Sequence, residues 1–161
     1  MIGILSDSHD NRDTLREAAR LFQAAGCDLV IHAGDFVAPF AAKELAGAGC
    51  PVRAVFGNCD GEKNGLRKAL EPFGTIREAP LVLEHAGRKI LVTHLDVSVE
   101  RYVVSGKYDL LIYGHTHREE VREARRTLIV NPGETGGWLT GRSTVALYNP
   151  ATNSAEIVGI R

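Results

Sequence analysis

Cysteine is scarce in this 161-residue sequence: Cys27, Cys50 and Cys59 stand apart, with no CxxC pair. An odd number of thiols at irregular spacing implies neither a disulfide framework nor a thiolate zinc site, and suits a reducing compartment. Aromatic residues make up only 6%, with a single Trp. Charge of one sign is lacking too: 19 Lys and Arg face 20 Asp and Glu. That balance argues against a broad footprint for nucleic acid or an anionic membrane. No apolar run approaches the ~18 residues of a membrane span. The chain reaches Asp7 too early for a secretory signal, so a cytoplasmic location is expected. Repeats, low-complexity tracts and linkers are absent as well. One domain over residues 1–161 is therefore expected, large enough to bury roughly 68–70% of its unfolded surface without staples.

What the sequence does contain is pattern. Ile2–Leu5, Leu29–Ala33 and Val52–Phe56 are short apolar runs that read as buried strands. Between the first two, Leu15, Ala18, Ala19 and Phe22 fall at i, i+3, i+4 and i+7, the apolar stripe of a helix. Asp10 or Asn11 is placed to cap its start and Gly26 its end. Pro39 suits the first turn of a short helix reaching about Leu45, and Glu62–Leu70 reads as another. This βαβαβ order predicts parallel strands with right-handed crossovers. The second half reads differently. Leu81–His85 and Lys89–Thr93 flank Ala86-Gly87-Arg88 as a hairpin. Val97–Val104 is expected as a short helix and Leu110–Tyr113 as a strand. Hairpins are expected for Val121–Ala124 with Thr127–Asn131, and for Thr144–Tyr148 with Ala155–Ile160. The sheet system is therefore expected to be mixed.

Each of five predicted strands ends in residues with oxygen or nitrogen donors. They are Ser6-Asp7-Ser8-His9, Gly34-Asp35, Gly57-Asn58-Cys59-Asp60, Thr93-His94 and Gly114-His115-Thr116-His117. Ligands of open α/β sheets bind beyond the carboxyl ends of the strands, so these segments can converge. Asp, His and Asn suit borderline divalent ions such as Mn²⁺, Fe²⁺ or Zn²⁺. Asp7-x-His9 in an extended loop puts two side chains on one side of the backbone. His115-x-His117 can split between two ions if its loop twists. Alone, Gly-Asp or Gly-Asn is a common turn; the inference rests on their conjunction. His32 and His85 lie outside these motifs and read as a satisfied histidine at a strand end and a hairpin position.

In this order, the motifs resemble the calcineurin-like metallophosphoesterase superfamily, and in size, GNCD and Asn131-Pro132-Gly133 its small YfcE-type phosphodiesterase group. The resemblance implies an α/β, four-layer αββα sandwich of two mixed sheets flanked by helices. It also implies a dinuclear metal site, with Asp7, His9 and His117 on the first ion, Asn58, His94 and His115 on the second, and Asp35 bridging. Two divalent ions are expected as cofactors, Mn²⁺ first, with Fe²⁺, Zn²⁺ or Ni²⁺ as alternatives. Two such ions stabilise both the attacking and leaving oxygens of an in-line displacement. The implied reaction is hydrolysis of small phosphate diesters by a metal-bridging hydroxide.

Three departures bear on the substrate-facing loops, and the second also on the loop beside the second metal, where it can add a carboxylate. Cys59 stands where many relatives carry His, Leu95-Asp96 where many carry Gly, and Glu134 where Ser often follows Asn-Pro-Gly. Asp60 and Asp96 are candidates for supporting catalytic roles, Asp60 by orienting a neighbour or pairing with an Arg. Arg12, Arg118 and Arg142 flank the motif loops and read first as surface charges. Trp138, beside Gly136-Gly137, can stack a base or aromatic leaving group, or serve as a lid or interface anchor. The expected partner is a small phosphate ester, with no membrane, no nucleic acid, and a homo-oligomer left open. The alternatives are a phosphatase of nucleotides or phosphoproteins, and a scaffold like the eukaryotic retromer subunit that resembles this group.

Overall fold

The structure, a computed structural model, describes residues 1–160. Four strands pair in parallel: β1 (Ile2–Leu5), β2 (Leu29–His32), β3 (Val52–Val55) and β4 (Gly74–Arg77). The hairpin of β10 (Ser143–Asn149) and β11 (Ser154–Ile160) joins them antiparallel to β1, giving the order β11-β10-β1-β2-β3-β4. The second sheet contains β5 (Leu81–His85), β6 (Arg88–Val92), β7 (Leu110–Ile112), β8 (Glu119–Ala124) and β9 (Thr127–Pro132), in the order β5-β6-β7-β9-β8. Both sheets are mixed, as expected.

Alternation along the strands divides the apolar residues among three cores. Ile2, Ile4, Ile31 and Val55 of the first sheet meet Ile90, Val92, Ile112 and Val130 of the second. On the other face of the first sheet, Val30, Val52 and Ala54 pack under helices α1 (Arg12–Ala24), α2 (Pro39–Ala42) and α3 (Lys63–Leu70). On the far face of the second sheet, Leu91, Leu111 and Ile129 pack under α4 (Val99–Ser105). Strands buried on both faces favour side chains that are apolar at nearly every position, which is why the first three strands appear as apolar runs, interrupted by the half-buried Arg53 in β3 and ended by His32 in β2.

Local chemistry places α1. The Asn11 side chain accepts a hydrogen bond from Thr14 N at 3.3 Å, satisfying one free amide of the first turn. Leu15, Ala18, Ala19 and Phe22 are buried, and Gly26 takes the left-handed conformation just past the end (φ 67°). A Cβ at Gly3 would lie 2.5 Å from the Phe22 ring; glycine there lets α1 lie close on β1.

Three elements differ from the sequence reading. The short helix at Pro39 continues as a 3-10 segment, Lys43–Ala48, until Gly49 turns left-handed. The helix expected over Val97–Val104 is α4 preceded by a 3-10 turn at Asp96–Ser98. Strand β4 was not expected at all. It is four residues long with only Ile76 buried, too little for a periodic signal.

Candidate metal centre

The carboxyl ends of β1, β2, β3, β6 and β7 deliver all five motif segments to one rim of the sandwich. Hydrogen bonds lace the loops together beyond the strands. Asp7 N donates to Gly34 O (2.9 Å), His9 N to Asp35 O (3.1 Å) and Gly114 N to His94 O (3.1 Å). Asp7 Oδ2 accepts from Ser6 Oγ and from His115 N, the latter at 3.0 Å. Asp60 accepts from the amides of Asp35 (3.0 Å), Val37 (2.8 Å) and Gly57 (2.8 Å). It thus clamps the loop after β2 to the loop after β3 through backbone amides.

The extended loop expected for Asp7-x-His9 is a correction. Asp7 (φ 52°) and His9 (φ 40°) are both left-handed, as are Asp35 (φ 62°), His115 (φ 68°) and His117 (φ 58°). Non-glycine residues take this conformation uncommonly, and such strain concentrates at functional sites. The tight turn after β1 presents Asp7 and His9 together and sends Ser8 inward, where its Oγ lies 3.0 Å from His32 Nε2. His32 Nδ1 accepts from Gly34 N at 3.1 Å, so Nε2 carries the proton given to Ser8. His32 is fully buried, which pushes its basicity down, and it stacks on Phe36. It is the satisfied histidine that was expected.

Three motif glycines make room for the functional side chains. A Cβ at Gly34 would lie 2.6 Å from His94 Nδ1, one at Gly57 2.8 Å from Asp35 Cγ, and one at Gly114 2.7 Å from Asp7 Oδ2. As turns, these dipeptides explain little; as close approaches, they explain why glycine precedes Asp35, Asn58 and His115.

The resulting cluster is tight. One ligating atom each from Asp7, His9 and His117 lie within 4.8 Å of one another, and so do those of Asp7, Asp35 and His94. His9 Nε2 is 3.7 Å from Asp35 Oδ2 and 3.9 Å from Asp7 Oδ1; His117 Nε2 is 3.4 Å from Asp7 Oδ1. His94 Nδ1 faces the Ala33 carbonyl at 2.8 Å, so it carries the proton and Nε2 offers a lone pair. That lone pair meets Asn58 Oδ1 at 2.8 Å and Asp35 Oδ2 at 3.4 Å. With no metal, a proton on Nε2 would satisfy the two oxygens; with Nε2 bare, a cation would satisfy all three atoms, and His9 Nε2, buried with no hydrogen-bond partner, aims at the same cluster. The donor set therefore fits divalent ions. His115 lies at the edge, its ring 5.3 Å from that of His94, while His117 lies 5.2 Å from His9. The two histidines of that segment thus diverge, as a twisted loop predicts.

The electrostatics match. Burial opposes the charge of Asp35, but the His94 imidazole and the Cys59 amide outweigh it and hold the carboxyl down at about 2. Burial dominates at Asp7 and raises its carboxyl. At His94, Asp35 and the Ala33 carbonyl overcome burial and raise its basicity. Burial and the Asp35 carboxylate push the Cys59 thiol up to about 11, the opposite of an activated thiolate.

Glu134 is the functional residue that sequence reasoning missed. In the sequence it stands out only as a departure from Ser. It is buried, accepts from Thr140 N and Thr140 Oγ1 at 2.8 Å each, and places Oε1 3.3 Å from His117 Nδ1. The carboxylate thus stands behind the His117 ring without a hydrogen bond to Nδ1, which is buried and unpartnered. Asp96, in contrast, is exposed on its 3-10 turn and lines neither cavity at the cluster; a supporting role for it is not borne out by position. Arg12 and Arg142 pair with Glu44 and Glu119, as surface charges do. A cavity of about 400 Å³ opens from His9, Asp35, His115 and His117 toward Trp138 and Leu139. A second, of about 360 Å³, runs from His94 toward Pro80 and Tyr102. Asn58 lines both.

Comparison with known proteins agrees with this geometry. The calcineurin-like phosphoesterase superfamily domain matches residues 1–153. Phosphodiesterase MJ0936 of Methanocaldococcus jannaschii is 37% identical, over 92% of each chain. The solved structure of an archaeal phosphodiesterase superposes with a TM-score of 0.93 at 34% identity, covering 99% of both chains. YfcE, a phosphoesterase from E. coli, shares the fold with a TM-score of 0.69 at 18% identity and 99% coverage of both. The chain belongs to the calcineurin-like phosphoesterase superfamily.

Proposed function

We propose that this chain is a metal-dependent phosphodiesterase acting on small phosphate diesters. The observation that carries the reading is the convergence of donor atoms from Asp7, His9, His117, Asp35 and His94 within 4.8 Å in two overlapping groups, with Asn58 Oδ1 2.8 Å from His94 Nε2. Asp7, His9, Asp35 and His117 hold one divalent ion, and Asp35, Asn58, His94 and His115 the other, with Mn²⁺ the first to test. When bound, such a pair polarises a phosphoryl oxygen and acidifies water.

The protein's own contribution is position. Cys59 N donates to Asp35 Oδ1 at 2.8 Å, leaving Oδ2 to face His9 and His94. Ser6 and the His115 amide fix Asp7. The Ala33 carbonyl sets the His94 ring, and the Glu134 carboxylate stands 3.3 Å from His117 Nδ1. The protein also contributes charge selection. Among the described residues, no Arg or Lys lines the two cavities that meet at Asn58, while Arg118 and Arg142 line a third, of about 300 Å³, that also touches His117 and Glu134. A singly charged diester needs less compensation than a doubly charged monoester, and two cavities meeting at Asn58 suit its two substituents. The 37% identical relative is itself a phosphodiesterase, and the three free thiols support a cytoplasmic setting.

The test is a panel of aryl and alkyl mono- and diesters with Mn²⁺, Ni²⁺, Zn²⁺, Mg²⁺ and chelator, alongside elemental analysis. Two ions per chain and chelator-sensitive hydrolysis led by diesters are expected. A firm plateau at one ion, or no hydrolysis restored by any metal, would overturn the reading; partner binding without hydrolysis would favour the scaffold.

A further inference from the structure

The loop after β9 returns across the mouth of the cluster and is held at each step. Thr135 N donates to Ser6 O and Gly136 N to Asp7 O, both at 3.0 Å. Asn11 Nδ2 donates to Gly136 O at 2.7 Å. The buried Glu134 carboxylate accepts from Leu139 N at 2.9 Å and Thr140 N at 2.8 Å, closing the loop on itself. Trp138 Nε1 donates to His9 O at 2.9 Å. Yet Trp138 is 64% exposed and Leu139 80%. The indole is fixed by its bond to His9 O, Leu139 is held through its backbone amide, and both large apolar side chains line the cavity that the cluster opens into.

We propose that Trp138 and Leu139 form a subsite for a planar aromatic group, aryl or nucleobase, attached to the phosphate of the ester. The subsite rests on the phosphodiesterase reading above and names its substrate class. An indole face stacks on any planar ring, and base–aromatic stacking is worth roughly tenfold or more in affinity. The hydrogen bond to His9 O orients the indole before the ligand arrives, so little ordering is left to oppose binding. That bond also joins the stacking surface to the backbone of a proposed metal ligand, setting the distance between ring and phosphorus. Two side chains supply only a small part of the ~800 Å² per partner of a stable protein interface, and their cavity is shared with His9, Asp35 and His117. An ester substituent is the occupant that these neighbours fit.

Trp138 is the chain's single tryptophan, so intrinsic fluorescence reports the subsite directly. Metal-loaded protein is titrated with adenosine 5′-monophosphate and with ribose 5-phosphate, which differ by the base alone. Both are also measured as competitive inhibitors of bis(p-nitrophenyl) phosphate hydrolysis in the wild type, Trp138→Ala and Trp138→Phe. The nucleotide is expected to shift the emission saturably and to inhibit at least ~10-fold more tightly than the sugar phosphate. That ratio falls toward one in Trp138→Ala and recovers in Trp138→Phe, which keeps the ring and loses the hydrogen bond. Thermal unfolding and metal content verify that the variants are folded and loaded. Hydrolysis with equal inhibition by the two ligands in the wild type overturns the subsite and leaves the phosphodiesterase reading standing. Absence of metal-restored hydrolysis overturns that reading, while the emission arm still scores the subsite. An emission shift that follows protein concentration, with a dimer in sedimentation, assigns the surface to a second copy and also overturns the proposal.

Discussion

Replacing Gly57 by alanine alters no proposed ligand, yet it strikes the centre of the site. The new Cβ would lie 2.5 Å from Asp35 N, 2.8 Å from Asp35 Cγ, and closer still to Oδ1, where real contacts do not fall below 3.0 Å. The Asp35 amide must therefore retreat by at least about 0.5 Å, and its carboxylate by more. Metal–ligand distances tolerate about ±0.2 Å, so the carboxylate proposed to bridge the ions could not serve both from its displaced position. Asp60 resists the adjustment, because it holds the Asp35 and Gly57 amides through the same oxygen. The expected result is fewer than two ions per chain and a loss of roughly 10²-fold in kcat/KM, the scale of a 1 Å misplacement. Overpacking adds about 1–3 kcal/mol of destabilisation, a fall of several degrees in Tm. Elemental analysis after Mn²⁺ loading, steady-state kinetics on bis(p-nitrophenyl) phosphate and thermal unfolding measure the three effects. Gly61→Ala is the control, since a Cβ there meets nothing within 4 Å. A Gly57→Ala protein with two ions and wild-type kcat/KM would refute the reasoning.

Gly3→Ala separates core from site: its Cβ strikes the Phe22 ring, so Tm should fall by an amount equivalent to about 1–3 kcal/mol while the folded protein keeps its full metal content. Metal loss equal to that of Gly57→Ala would contradict this separation. Glu44, bonded to Arg16 and Arg12, has its carboxyl held below the usual range by both guanidiniums. Its contribution is present at neutral pH and lost as pH falls through the lowered value. Glu44→Gln should therefore cost about 0.5–1 kcal/mol at pH 7, with the gap closing below about pH 4; urea unfolding at several pH values checks this, and a gap that widens in acid has the wrong sign. Cys59 lines the cavity as a thiol beside Asn58 and offers no general acid. Cys59→His should raise kcat/KM for alkyl monoesters selectively, toward the ~10²-fold scale of general acid catalysis, and an equal change on aryl diesters would count against that role.

Much of the site was legible because its chemistry is local. Asp7, His9, Asp35, Asn58, His94, His115 and His117 each follow an apolar run closely, and strand ends in α/β sheets are where ligands gather. The βαβαβ start and the three hairpins were legible for the same reason, since periodicity and turn residues act over a few positions. Strand β4 was not, because one buried side chain at a sheet edge leaves no pattern to read.

Other features depend on contacts between distant segments. The glycines at 34, 57 and 114 look like turn residues until His94, Asp35 and Asp7 are seen to fill the space a Cβ would take. Glu134 and His117 lie 17 positions apart in sequence, and their contact at 3.3 Å exists only after β8 and β9 have paired. Asp96, two positions from His94, was a better candidate by proximity in sequence, but the 3-10 turn leaves it exposed and outside the cavities. Trp138 could stack, cover or dock on the sequence alone, and its bond to the His9 carbonyl joins residues 129 positions apart. Sequence determined which donor atoms the protein owns and at which strand ends they emerge, because burial patterns and turn chemistry are short-range. Tertiary structure decided which of them share a cluster, what orients them and which apolar surface stands beside them, because those depend on distances that close only when both sheets pack.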